Sequence, residues 1–112
     1  MLDKLIREYI ADMRAQGSSE ATIKSYTSHL LKFKEWCNAN GIDFTKLSIK
    51  DIKLFHNYLL KQDLAHHTVN MHIYCLKGFY DFLVEEGIVS GNPVLTRRLA
   101  IKEEKIRRYH HV

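Results

Sequence analysis

Apolar residues recur along this chain at steps of three and four, the period of an α-helix, and never alternate long enough to claim a strand. Leu2, Leu5, Ile6, Tyr9, Ile10 and Met13 form a first stripe that ends near Gln16 and Gly17. Ile23, Tyr26, Leu30, Phe33 and Cys37, with Trp36 beside them, form a second, and Ser18 or Ser19 can cap its start by accepting from the orphan amides. A third helix opens at Ser48 and Asp51, spaced as a capping box, and carries Ile52, Phe55 and Leu59 on one face. Val69, Ile73, Leu76, Tyr80 and Leu83 make the fourth, which stops at Glu86 with Gly87 placed as the C-terminal cap. Phe44 and Leu47 are expected to pin the link between the second and third helices. The fold predicted is all-α, a compact bundle of four principal helices followed by a basic C-terminal tail.

The fourth helix differs in kind from the second. Opposite its core stripe stand His67, Met71, Tyr74, Gly78 and Phe82, so it is apolar around much of its girth and should be central. Gly78 in mid-helix costs ~1 kcal/mol against alanine, which predicts that another backbone approaches there. Opposite the core stripe of the second helix stand Lys24, Ser25, Ser28 and Lys32, small and basic groups suited to solvent or to an anion.

With 112 residues, 46% hydrophobic and 27% charged, the chain has room for one domain with a real core. No apolar run approaches the ~20 residues of a membrane span, so no membrane partner is expected. Cys37 and Cys75, the 2 cysteines, do not make a disulfide scaffold, and a reducing cytoplasmic compartment is the expectation. The net charge of +4 is unevenly placed. Residues 1–95 carry 11 Lys+Arg and 11 Asp+Glu, whereas the tail sets Arg97, Arg98, Lys102, Lys105, Arg107 and Arg108 against Glu103 and Glu104. Only local clustering, not overall charge, can therefore argue for nucleic-acid binding by the folded body.

Three constellations could carry chemistry. His72 and Cys75 share a helical face and are zinc-ligand types, but a site needs three or four convergent ligands. His66, His67 and His72 are therefore read as polar residues at a helix start, and no metal or cofactor is expected. Tyr109 among Arg107, Arg108, His110 and His111 resembles a phosphoryl-transfer nucleophile in composition, yet nothing around it could orient a base or an oxyanion clamp. The chain as it stands is not expected to be an enzyme. The third constellation is two helix starts with DNA-reading residue types. Thr22, Lys24, Ser25, Ser28 and Lys32 suit phosphate contacts; His66, His67, Thr68, Asn70 and Met71 include types that read base edges. A rival use of the fourth helix is a protein-interaction groove lined by Met71, Tyr74 and Phe82, without DNA binding.

Ser19, Thr22, Tyr26, Leu30 and Phe33 follow the pattern S-x-x-T-x-x-x-Y-x-x-x-L-x-x-F. Thr68, Val69 and Asn70, then the run Leu76 to Leu83, Gly87, Ile88, Asn92 and Pro93, add a second motif in order. Together they resemble the amino-terminal core-binding domain of the tyrosine recombinases, the phage-integrase family, over about residues 2–95. The resemblance implies a SAM-like helical domain that binds the double-stranded DNA of a recombination core site. In that family a separate catalytic domain closes on the opposite face of the duplex. Carried over by position, Thr22, Lys24 and Ser25 would contact DNA from the second helix, and His67, Thr68, Asn70 and Met71 from the fourth. Residues 96–112, with Arg97 and Arg98, would be the linker to that catalytic domain, whose arginines, lysine, histidine and nucleophilic tyrosine have no counterpart here. Ala65 stands where the family commonly has a serine cap, and Met71 where a basic residue is frequent. The resemblance thus implies a fragment cut near the domain boundary, with neighbouring recombinase protomers as further partners.

Overall fold

In a computed structural model, described here for residues 1–94, the periodic stripes become four α-helices joined by short links. They are α1 (Leu2–Ala15), α2 (Glu20–Asn40), α3 (Ile49–Leu60) and α4 (His66–Glu85), with a single 3₁₀ turn at Phe44–Lys46. No strand occurs among the described residues. The predicted boundaries hold because the local chemistry fixes them. Ser19 Oγ accepts from the Thr22 amide at 3.2 Å and starts α2. Ser48 and Asp51 complete a reciprocal capping box at the start of α3. Gly41 takes a left-handed conformation (φ +62°) after α2, and Ile42 N–H donates back to the Cys37 carbonyl at 2.9 Å. A side chain at Gly41 would strain that reversal.

α4 is the central element and packs against each of the other three helices. Val69, Ile73, Leu76, Phe79, Tyr80 and Leu83 are all buried along it. Burying each such side chain contributes roughly 1.5–3 kcal/mol, so this helix organises the core. Between α2 and α3 the core is aromatic: Phe33 meets Phe55 edge-on at 5.4 Å, and Trp36 lies 5.1 Å from Phe55. Phe44 and Leu47 pin the connection as expected, Phe44 buried and Leu47 packed against the core. The Tyr80 hydroxyl donates to the Phe44 carbonyl at 2.8 Å and so ties that link to α4.

Gly78 does make room for a neighbour, but for a side chain rather than a backbone. A Cβ there would lie 2.6 Å from the hydroxyl of Tyr9 on α1. The Tyr9 ring sits beside this gap, with centroids 5.6 Å from Phe79 and 5.3 Å from Phe82.

The chain after α4 is fastened down by Asn92. Its amide nitrogen donates to the Lys77 carbonyl at 3.0 Å and to Asp81 Oδ1 at 2.7 Å. Its side-chain oxygen accepts from the Val94 amide at 2.8 Å, and Val94 is buried. This clasp gives the Asn92–Pro93 pair a physical role: it holds the segment that leaves α4 against that helix.

Candidate nucleic-acid interface

α2 and α4 run antiparallel along one seam, Tyr26 facing Cys75, His29 facing His72 and Lys32 reaching Gln62, so the start of α4 lies toward the Lys32 end of the α2 face and away from the start of α2. On α2, Thr22 belongs to the cap itself, accepting from the Ser19 hydroxyl at 2.9 Å. Lys24 and Ser28 are exposed, and Ser25 and Lys32 are half-buried. On α4, His66 and His67 are exposed, while Thr68, Asn70 and Met71 are half-buried. The N-cap of α4 is Ala65, which offers no side-chain acceptor to the first amides. The positive end of the helix dipole therefore lies at the exposed His66 and His67.

What joins the helices is a pair of histidine rings. His29 of α2 and His72 of α4 are in contact, their centroids 3.9 Å apart and their planes inclined at 48°. One turn further along α4, the Cys75 thiol donates to the Tyr26 carbonyl at 3.8 Å. At the other end of the seam, Lys32 Nζ donates to Gln62 Oε1 at 2.6 Å and ties α2 to the link that leads into α4. Ser25 Oγ is hydrogen-bonded to His29 Nε2 at 3.2 Å. Ser25 and Lys32 are thus built into the seam, Lys24 and Ser28 stand on its solvent side, and Thr22 is drawn into the helix cap. Arg97 and Arg98 lie outside the described residues, as does Tyr109.

His72 corrects the expectation of a polar, outward helix-start residue. It is buried, with 7% of its surface exposed. Burial, the neighbouring His29 ring and the Lys32 charge push its pKa down to about 4. His29 is lowered for the same reasons, burial first and Lys32 second. Burial pushes the Cys75 thiol up to about 12, so it is not a thiolate at neutral pH. No group of three or more His, Cys, Asp or Glu side chains converges to hold a metal among the described residues.

His29 and Gln62 escaped the sequence reading. His29 lies three residues after Tyr26 and four before Phe33, in register with the core stripe, and that register was the available signal. Nothing in the sequence pointed to Gln62. The interaction groove considered for α4 does not form as one open face. Tyr74 is 47% exposed, but Phe82 is half-buried against Tyr9. No described helix is long and apolar enough to cross a membrane.

Fold and seam together define a small all-α module in which two helices bring lysine, hydroxyl and imidazole groups alongside one another. Residues 6–87 match the family model described as phage integrase, N-terminal SAM-like domain, and the chain belongs to that family. Among its relatives is the tyrosine recombinase XerC of Oceanobacillus iheyensis, 32% identical over 85 residues that cover 75% of this chain and 28% of that protein. XerC of Bacillus pumilus is 28% identical over 105 residues, 92% of this chain and 34% of its own length. XerC of Lacticaseibacillus casei is 34% identical over 89 residues, 78% of this chain and 29% of its own. The chain therefore spans about a third of the length of these relatives. No solved structure gives a significant match.

Proposed function

We propose that this domain docks on the double-stranded DNA of a recombination core site and positions a site-specific tyrosine recombinase there, contributing binding but no chemistry. The observation that carries this reading is the α2–α4 seam: Ser25 and Lys32 lie alongside the His29–His72 pair, exposed Lys24 and Ser28 continue that helix face, and its Lys32 end runs toward the start of α4. A neutral body makes that local cluster the feature that distinguishes this surface, and family membership supplies the class of ligand. In this reading α2 holds phosphates, and Asn70 and Met71 on α4 lie where base edges would be read. Residues 96–112, with Arg97 and Arg98, form the linker to the catalytic domain of the parent protein. Neighbouring protomers on the same DNA are its protein partners, and its place of work is the cytoplasm, where the DNA is.

Affinity dominated by phosphate contacts predicts a dissociation constant on the order of 10⁻⁴–10⁻⁶ M at physiological salt for an arbitrary duplex. Each base contact from α4 adds discrimination of ~1–3 kcal/mol. The test is an amide-resolved NMR titration with a short duplex at about 50 and 200 mM salt. Shifts on residues 19–32 and 66–74 that weaken steeply with salt, and that Lys24→Glu diminishes, are expected. Shifts confined to the tail, or a Lys24→Glu variant that binds as the parent does at low salt, would sink the assignment to this face.

A further inference from the structure

The chain does not leave the domain at the end of α4. Gly87 takes a left-handed conformation (φ +74°), Ile88 N–H donates back to the Leu83 carbonyl at 2.9 Å, and the segment returns until Asn92 grips Lys77 and Asp81. Lys77 lies eight residues before the Glu85 end of the helix, about 12 Å back along its axis. Asp81 is the hub of the clasp: one carboxylate oxygen accepts from Asn92 at 2.7 Å and the other meets Lys77 Nζ at 3.1 Å. Asn70, Tyr74, Lys77 and Asp81 follow one another at steps of four, three and four, so they share one face of α4. The clasp thus seats the returning chain on the helix face that carries Asn70, on the way from the end of α4 toward its start. That end is acidic, with exposed Glu85 and Glu86 and no basic residue in the last turn, and it repels a polyanion.

We propose that Asn92 is a positioning residue for DNA binding: its clasp launches the chain along the Asn70 face of α4, so that Arg97 and Arg98 meet the duplex docked there. This rests on the DNA-binding reading above and deepens it. Arg97 and Arg98 follow the buried Val94 by three and four residues, so with the clasp closed Arg97 reaches at most about 11 Å from that anchor. That reach matches the roughly 10 Å of helix between Lys77 and Asn70. With the clasp open the last fixed point is Ile88, nine residues before Arg97, and the reach grows to about 30 Å. A short leash raises the effective concentration of the two guanidinium groups at the phosphates. Once the leash spans the gap, that concentration falls roughly as the −3/2 power of its length, so tripling the length lowers it about fivefold. The folded body and the arginine pair then act as one bivalent ligand. Asn92 acts through the two arginines rather than by touching DNA, and sets how strongly they contribute.

The experiment is duplex binding by the whole chain, read by fluorescence anisotropy at about 50 and 200 mM salt, for the parent, Asn92→Ala, Arg97→Gln/Arg98→Gln and the combination. Asn92→Ala should weaken binding about fivefold at low salt, and the arginine pair of changes should weaken it and lower the salt slope by up to about two. In the background that lacks the two arginines, Asn92→Ala should weaken binding no further, which a merely structural role of the clasp does not predict. If Asn92→Ala binds as the parent does, or weakens binding equally in both backgrounds, the inference is wrong. If removing the two arginines changes nothing, the inference is wrong while the DNA reading stands on the folded body. If no duplex binds even at low salt, both fall. An insertion of glycine and serine after Val94, long enough to triple the leash, leaves the clasp closed and should give the same loss of about fivefold. Should Asn92→Ala fail to fold by circular dichroism, that insertion decides, and parent-like binding by it overturns the proposal.

Discussion

Against α1, α4 presents Gly78, Phe79 and Phe82 to the ring of Tyr9; against α2, near its start, it presents His72 and Cys75 to His29 and Tyr26. The first contact is aromatic packing, where shape decides the energy. The second buries polar nitrogens that the described residues leave without partners, a choice that lowers stability relative to an apolar pair. The same helix therefore holds the domain together on one flank and carries strain in its polar accounting on the other, next to residues proposed above to contact DNA. A surface evolved only for stability has no need of two imidazoles in contact at that place.

The largest effect expected from this contrast is with acid. The His72 pKa falls from 6.5 to about 4 on folding, so the unfolded chain binds its proton more readily between those values. Stability from the neutral ring is thus complete above about pH 6.5 and lost as pH falls toward 4, by up to about 3 kcal/mol. His29 shifts in the same direction and adds to the loss. Urea unfolding of the parent and of His72→Phe across that window measures it. The variant should match or exceed the parent at neutral pH and fall less steeply in acid. Parallel curves for the two proteins would mean that the seam does not carry the acid response.

A satisfied polar group on α4 gives a reference of intermediate size. Tyr80 is fully buried, yet its hydroxyl has the Phe44 carbonyl as partner. Tyr80→Phe leaves that carbonyl without its donor and should cost about 1–2 kcal/mol at every pH. A loss that grows with acid in this variant would show that the pH dependence is a property of the whole core rather than of the two histidines.

The same contrast explains what the sequence could and could not reveal. Apolar stripes on α1 to α4, the Ser19 cap, the Ser48–Asp51 box and the Gly41 reversal are local: each is decided by residues within a turn or two, so periodicity and capping rules find them. The histidine seam is not local. His72 lies three residues after Val69 and four before Leu76, and so shares their buried register, but its polarity argued for the surface. His29 repeats the case on α2. What buries them is the meeting of two helices more than 40 residues apart in the chain, and no window along one helix contains that information. Gln62 is further still from prediction, because its role depends on where a loop with Asp63 in a left-handed conformation (φ +58°) delivers it. The face of Lys24 and Ser28 was legible as polar and exposed; the seam that Ser25 and Lys32 join beside it was not.

The aromatic flank yields the smallest effect, and one whose sign can be reversed. Alanine at position 78 should gain ~1 kcal/mol of helix propensity. Its Cβ, however, would lie 2.6 Å from the Tyr9 hydroxyl, and Tyr9 has little freedom to withdraw because its ring packs against both Phe79 and Phe82. Overpacking of this kind costs about 1–3 kcal/mol, so Gly78→Ala should destabilise the domain by about 1 kcal/mol net. In a Tyr9→Phe background the obstructing oxygen is gone, and the next ring atom, Cζ, stands at an ordinary 3.8 Å. There the same Gly78→Ala change should stabilise by up to about 1 kcal/mol, its propensity gain now unopposed. Denaturant midpoints for the two single variants and the double variant close a thermodynamic cycle on this contact. A Gly78→Ala effect that is the same in both backgrounds would mean that Tyr9 is not what reserves this position for glycine, and that the flank facing α1 is looser than its ring geometry implies.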